Sequence, residues 1–178
     1  STEIWLNHLA THLRIARATK SNIARVAQLF NKTNQLNLST RRLGETEILA
    51  WADAPGHSLL TVSASDRFGD MGLVGVIGIE ITAGRGYLSD FILSCRVMGR
   101  RVEESLLHLA AAEAARLGGS KMEARYLPTA RNRPTLDVFR GAGLPEPEEH
   151  RFLIDCRTGI AKPGAVAIEF DEDVETLT

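Results

Sequence analysis

A chain of 178 residues, 44% hydrophobic and 24% charged, suits one soluble domain with enough apolar material for a core. The formal net charge of −1 gives no global field toward nucleic acid or a membrane surface. No apolar run approaches the roughly 20 residues that span a bilayer. The opening "STEIWLNHLATHLRIAR" lacks the apolar centre of a secretory signal. With only Cys95 and Cys156, a disulfide scaffold is not expected and a reducing cytoplasm is the default setting.

Taken in chain order, "HLRIARAT" (12–19) alternates apolar and polar residues as a short strand does. Ser21 then stands as a candidate N-cap for a helix carrying Ile23, Val26, Ala27 and Phe30 at helical spacing. Residues 32–43, dense in Asn and Thr, are expected to form a loop, because those side chains bond to nearby backbone. A second short helix is expected over 44–53, stopped by Pro55-Gly56. Two β-rich runs, 57–69 and 72–84, flank the turn "RFGDMG" (67–72) and predict an antiparallel hairpin. Residues 86–94 make a third strand of this group.

Beyond Gly99, residues Val102, Leu106, Leu109, Ala110 and Leu117 mark one face of a helix of about four to five turns, closed by Gly118-Gly119. Strand 121–127 and short helix 132–143 follow, the latter with Pro134 in its first turn and Gly143 at its end. Strands 150–156 and 164–170 come next, then an acidic tail expected to fray. The order predicts a mixed α/β layer with a mainly antiparallel first half.

Chemistry is first suggested at "SCRVMGRRVEESLL" (94–107). A strand ends near Ser94 and a helix begins near Gly99 or Arg100. The first amides of a helix lack internal partners and lie at its positive pole, so such a turn suits a phosphate. Arg96, Arg100 and Arg101 add side-chain charge. The same pattern also fits a plain tight turn with solvated arginines.

The order strand, glycine turn, long helix, strand, short helix resembles the GNAT superfamily of acyl-CoA N-acyltransferases. Its phosphate loop reads [Q/R]-x-x-G-x-[G/A]. Arg96-Val97-Met98-Gly99-Arg100-Arg101 matches the first two fixed positions and departs at Arg101. The later family segment N-x2-A-x3-Y-x3-G-F is met here by Asn132, Thr135, Phe139, Gly143 and Leu144. Four ordered blocks, "RVAQLFNKTNQLNLSTRRL" (25–43), "SDRFGDMGLVGV" (65–76), "LSCRVMGRRVE" (93–103) and "YLPTARNRPTLDVFRGAGL" (126–144), look like the C-terminal half of FkbH-like proteins. The likeness runs over about residues 12–156, within a single GNAT-like domain of 1–178 that ends in a strand and acidic tail at 157–178.

That resemblance implies an α/β, or α+β mixed-sheet, fold and an acyltransferase-type domain. The family is tied to methoxymalonyl- and glyceryl-acyl carrier protein biosynthesis, a polyketide-supply chemistry, in a cytoplasmic setting. Its proteins carry an HAD-type phosphatase domain ahead of the GNAT-like one. The D-x-D-x-T aspartate motif of that half is not in this chain, which implies an excised domain or a lost phosphatase half. Implied partners are an acyl carrier protein and the HAD-type phosphatase domain. Implied cofactors are CoA or acetyl-CoA, or a carrier's phosphopantetheine arm. No metal, nucleic acid or membrane is expected.

By the same resemblance, the loop amides of Val97, Met98, Gly99, Arg100, Arg101 and Val102 would hold a pyrophosphate or a single phosphate. The strand edge at Leu93 and Ser94, with Cys95 and Arg96 following, would pair with the pantetheine amides. Asn132 would contact the arm, stabilise the splay of the neighbouring strands, or simply cap its helix. Phe139 stands where many acetyltransferases carry a tyrosine acid, and a phenylalanine has no proton to give. It reads as a core aromatic beside the cofactor. Catalytic candidates are Asp90 as a base and Cys95 as an acyl-accepting thiol, although Cys95 also fits a small buried filler. His57, Asp66 and Asp70 are further candidates for the base, the two aspartates reading more readily as turn residues. Asn34, Gln35, Asn37, Thr40 and Arg41 would receive a polar acyl group, or only order their own loop. The alternative to a transferase is a non-catalytic module that docks a carrier protein or its pantetheine arm.

Overall fold

The computed structural model of the chain describes residues 1–174; residues 175–178 fall outside the described part. The chain opens with helix α1 (Thr2–Leu9), which the sequence reading did not anticipate. Ser1 accepts the Ile4 amide and Ala10 closes the helix in the left-handed conformation. Only Leu6 and Leu9 of it are buried, too short an apolar pattern to stand out in sequence.

Strand β1 (Thr11–Arg17) and helix α2 (Ile23–Lys32) follow where expected. The cap is Asn22 rather than Ser21: the Ser21 hydroxyl pairs with Thr19 Oγ1, and Asn22 Oδ1 accepts the Thr19 amide. Residues 32–43 were expected to be a loop, but they contain a short strand, β2 (Leu36–Asn37). Helix α3 (Glu45–Asp53) precedes the hairpin of β3 (His57–Asp66) and β4 (Gly69–Thr82), whose turn is tighter than predicted. Asp66 Oδ1 accepts the Phe68 amide and closes that turn. Strand β5 (Arg85–Leu93), helix α4 (Val102–Arg116), strand β6 (Lys121–Arg125), helix α5 (Arg133–Gly141) and strands β7 (Arg151–Asp155) and β8 (Val166–Phe170) complete the chain.

The strands form one eight-stranded mixed sheet in the order β7-β6-β5-β4-β3-β1-β8, with β2 attached to β5. Pairing is antiparallel from β1 through β5, and parallel for β5–β6 and β1–β8. Alternation along the strands divides the core into two layers. Ile23, Val26, Leu29 and Phe30 of α2 and Ile48 of α3 pack on Leu59, Val76 and Ile92 on one face. Leu106, Leu109 and Ala110 of α4 pack on Leu60, Ile77 and Phe91 on the other.

The acidic tail does not fray over its described part. The Asp171 amide donates to Ile15 O, Arg14 pairs with the Asp171 carboxylate, and Arg17 Nε donates to Asp173 O. Val174 is buried. No helix among the described residues is long and apolar enough to cross a membrane.

Candidate functional site

The site begins where the parallel pair β5–β6 parts. Their register runs from Arg85↔Lys121 to Leu88↔Ala124 and stops there. Residues 89–93 of β5 thus turn a backbone edge toward a widening gap. This is the place where the GNAT resemblance puts a pantetheine arm.

In this structure the chain's own segment 35–39 fills that gap. Leu36 pairs with Leu93 and Asn37 with Ile92, antiparallel. The Leu38 amide donates to Phe91 O at 3.1 Å, and Leu38 O accepts the Leu127 amide at 3.0 Å. Ser39 Oγ donates to Ser89 O. Leu36, Asn37 and Leu38 are fully buried. A buried backbone edge must find hydrogen-bond partners, and here β2 supplies them from within the chain. The pattern "QLNLS" (35–39) does carry the period-2 alternation of a strand. The surrounding Asn and Thr residues hid it.

Asn132 is the clasp of this arrangement. Its Nδ2 donates to Asn37 O (3.0 Å) and Leu127 O (2.9 Å). Its Oδ1 accepts from Tyr126 OH (2.7 Å) and the Thr129 amide (2.8 Å). Thr135 Oγ1 donates to Gln35 O and accepts the Asn37 amide. The Asn132 side chain makes no N-cap bond to α5, so that expected role is corrected: all four of its bonds reach other parts of the cleft.

The turn at 95–101, expected to hold a phosphate, is tied up in a similar way. A 3₁₀ turn, Cys95–Val97, leads through Gly99 (φ 78°) and Arg101 (φ 66°) into α4. Arg101 is thus a non-glycine residue in the left-handed region, where the family pattern has Gly or Ala; its Cβ is crowded there. Arg96 N donates to Ser94 Oγ, Val97 N to Ser94 O and Met98 N to Cys95 O. Gly99 N donates to Glu103 Oε1 at 2.8 Å. The buried Glu103 carboxylate therefore sits where an anion at this helix start would be held. Burial pushes its pKa up, against the lowering pull of the Gly99 and Glu103 amides. The reading of 94–107 missed it, although a carboxylate in a first helical turn is the ordinary complement to the dipole. The amides of Arg100 and Arg101 have no acceptor among the described residues. The loop arginines have protein partners: Arg96 with Met71 O, Arg100 with Asp66, and Arg101 with Glu3 and Glu104.

On the opposite, α2/α3 face, Asp90 is fully buried and receives Arg41 Nε (3.1 Å) and Nη2 (2.5 Å), with Ser39 Oγ at 3.4 Å. It is enclosed by β4, where a Cβ on Gly78 would lie 2.5 Å from Asp90 Oδ2. Burial raises the Asp90 pKa despite the lowering effect of Arg41. For Arg41, burial acts to lower the pKa, but the bond and charge of Asp90 outweigh it and leave it raised. The guanidinium also lies 4.8 Å from the Trp51 ring, and Trp51 stacks near His57 at 4.4 Å. Asp90 is thus an ion-paired carboxylate, not one open to an acceptor. His57 is held by Trp51 O and lies 3.5 Å from Glu80. Asp66 and Asp70 brace their turn by accepting the Phe68 and Gly72 amides, and the Phe68 amide is the main cause of the lowered Asp66 pKa.

Of the five residues expected to receive an acyl group, Asn37 and Arg41 are committed to the contacts above. Asn34 accepts from Arg42, and Thr40 (φ 53°) has a buried hydroxyl with no partner. Gln35 is exposed and lines a cleft with Asn34, Leu93, Ser94 and Cys95. Cys95 is exposed rather than a buried filler.

Phe139 is fully buried between Phe91 (5.1 Å) and Phe152 (5.4 Å). Its ring lies edge-on to Phe91 of β5 and tilted against Phe152 of β7 within the core. Phe139→Tyr is expected to cost about 1–3 kcal/mol by burying a hydroxyl without a partner, and to leave thioester turnover unchanged. Urea unfolding and a free-thiol assay check both; a gain in turnover would restore a tyrosine-acid role at this position.

No family model matches the chain, and no curated protein matches it. Solved structures do. The GNAT domain of S. lividans PAT superposes with a TM-score of 0.58 at 19% identity, over 79% of this chain and 89% of that one. Spermidine N-acetyltransferase from Vibrio cholerae, solved with CoA and spermine, gives 0.59 at 12% identity, over 82% and 96%. Rv2747 from Mycobacterium tuberculosis, solved with CoA, gives 0.56 at 13% identity, over 75% and 72%. The chain has the GNAT acyl-CoA N-acyltransferase fold.

Proposed function

We propose that this chain is an acyltransferase-type GNAT domain of an FkbH-like protein, acting in methoxymalonyl- or glyceryl-carrier-protein biosynthesis, with an acyl carrier protein and an HAD-type phosphatase domain as partners. Its ligand would be a thioester on CoA or on a carrier's phosphopantetheine arm. The observation that carries this is the parting of β5 from β6 after Leu88–Ala124, directly ahead of the R-x-x-G turn. An arm that entered would exchange its amides for those of segment 36–39 along the β5 edge. The amides of Arg100 and Arg101 remain for a phosphate. Acyl transfer would be direct, with a β5 amide polarising the thioester carbonyl and no tyrosine acid at Phe139.

A second reading, a non-catalytic module that docks a carrier protein, is favoured by the filled slot and by Glu103 on the loop. The two separate in one experiment. CoA at 100 times its dissociation constant should add about 2.7 kcal/mol of stability, seen as a rise of several degrees in Tm. Thioester turnover with an acyl-CoA or acyl-carrier protein supports the transferase. Binding of holo carrier protein without turnover supports the module. If neither CoA nor holo carrier protein moves Tm, both readings fall.

A further inference from the structure

Beside the filled slot lies an open cleft of about 340 Å³. Three elements converge on it. Helix α2 brings Arg25 and Lys32, the turn after β5 brings Ser94 and Cys95, and the loop before α5 brings Arg131. None of its eleven lining residues is acidic. The whole chain carries 22 acidic and 21 basic residues, so a wall with three cations and no carboxylate is a local concentration of charge. Lys32 and Arg131 have no hydrogen-bond or ion-pair partner for their side chains among the described residues. Arg25 is half-buried and already positioned: Nε donates to Leu73 O (3.2 Å) and Nη1 to Gln28 Oε1 (3.3 Å), so its remaining donors are directed without further ordering. A planar donor beside two exposed, unpaired cations suits a group with several charged oxygens.

We propose that this cleft binds a phosphoryl group, on a pantetheine arm or on a free phosphate ester, through Arg25, Lys32 and Arg131, with the Cys95 thiol at its rim. The anion site stands on these residues alone; the arm as its carrier rests on the function proposed above. It differs from the loop site expected at residues 97–102, where Glu103 already takes the Gly99 amide. Cys95 supplies a direct probe. It is exposed, whereas Cys156 is buried and its pKa is pushed up to about 11, first by that burial. Iodoacetamide will therefore label Cys95 alone.

The experiment follows Cys95 alkylation of the full chain by intact mass, with inorganic pyrophosphate and CoA titrated in parallel and affinities read by calorimetry. Pyrophosphate is expected to slow alkylation at least several-fold. The exposed pair Lys32→Glu with Arg131→Glu should keep the wild-type circular dichroism and weaken pyrophosphate binding about tenfold per position. Lys121→Glu, an exposed cation at the far end of the β5–β6 pair, should leave it unchanged. CoA protecting at lower concentration than pyrophosphate, with the same loss in the double variant, assigns the phosphoryl group to a pantetheine arm. Pyrophosphate binding without CoA binding keeps the cleft, assigns it to a free phosphate ester, and removes CoA as the proposed ligand. No pyrophosphate protection overturns the proposal. So does CoA binding that survives the double variant undiminished, an outcome that leaves the proposed function standing.

Discussion

Asn132→Ala is expected to destabilise the protein by about 3–4 kcal/mol and to free the β2 segment before the rest of the fold. The side chain is fully buried and makes four hydrogen bonds. Truncation leaves Tyr126 OH, the Thr129 amide and the carbonyls of Asn37 and Leu127 without that partner. An unpaired buried polar group costs about 1–3 kcal/mol, reduced where neighbours or water can relax in. Two of the lost bonds are the ones that tie β2 and the chain beyond β6 to α5. Amide exchange should therefore rise at Leu38 and Leu127 far more than in α4. A loss below about 1 kcal/mol, or exchange that quickens evenly along the chain, would remove Asn132 as the clasp. A variant that folds with an opened slot also bears on function, because it should take CoA more tightly than the wild type.

Arg41→Ala carries the second large effect, about 3 kcal/mol at pH 8. It leaves the fully buried Asp90 carboxylate with only the Ser39 hydroxyl near it. The folded-state pKa of Asp90 is raised by burial even with Arg41 present. A group raised in this way favours folding while protonated, and that contribution is lost as pH rises through its folded pKa. Removing the guanidinium raises the pKa further, so the deficit of Arg41→Ala should shrink as pH falls from 8 toward 5. Asp90→Asn should cost less. The Arg41 side chain is 30% exposed and lies over Trp51, so its charge keeps both solvent and a ring face. Denaturant unfolding of both variants across pH tests this. A deficit in Arg41→Ala that does not change with pH, or an Asp90→Asn as damaged as Arg41→Ala, would contradict the pairing described.

Much of the scaffold was legible because each element carries its own local signal. The alternation of β1, the helical spacing of Ile23, Val26 and Phe30, and the apolar face of α4 all depend on neighbours within a few residues. Gly118-Gly119 and the Asp66 turn likewise need only local geometry. The R-x-x-G turn at 96–99 was visible for the same reason.

What tertiary structure alone decided is how those elements dispose of their polar groups. Nothing local says that "QLNLS" will leave its loop and seal the β5 edge, since its partners Phe91, Leu127 and Asn132 lie 53 to 95 positions away. The pairing of Asp90 with Arg41 across 49 positions, and the gathering of Arg25, Lys32 and Arg131 around one cleft, depend on the same folding-over. Backbone donors and acceptors taken out of water must be matched, and the match is made by whichever chain lies closest in space. The sequence by itself determined the elements, their order and the turn suited to an anion. The packed fold decided that the slot beside that turn is occupied by the chain itself, because only there do distant segments meet at hydrogen-bond distance.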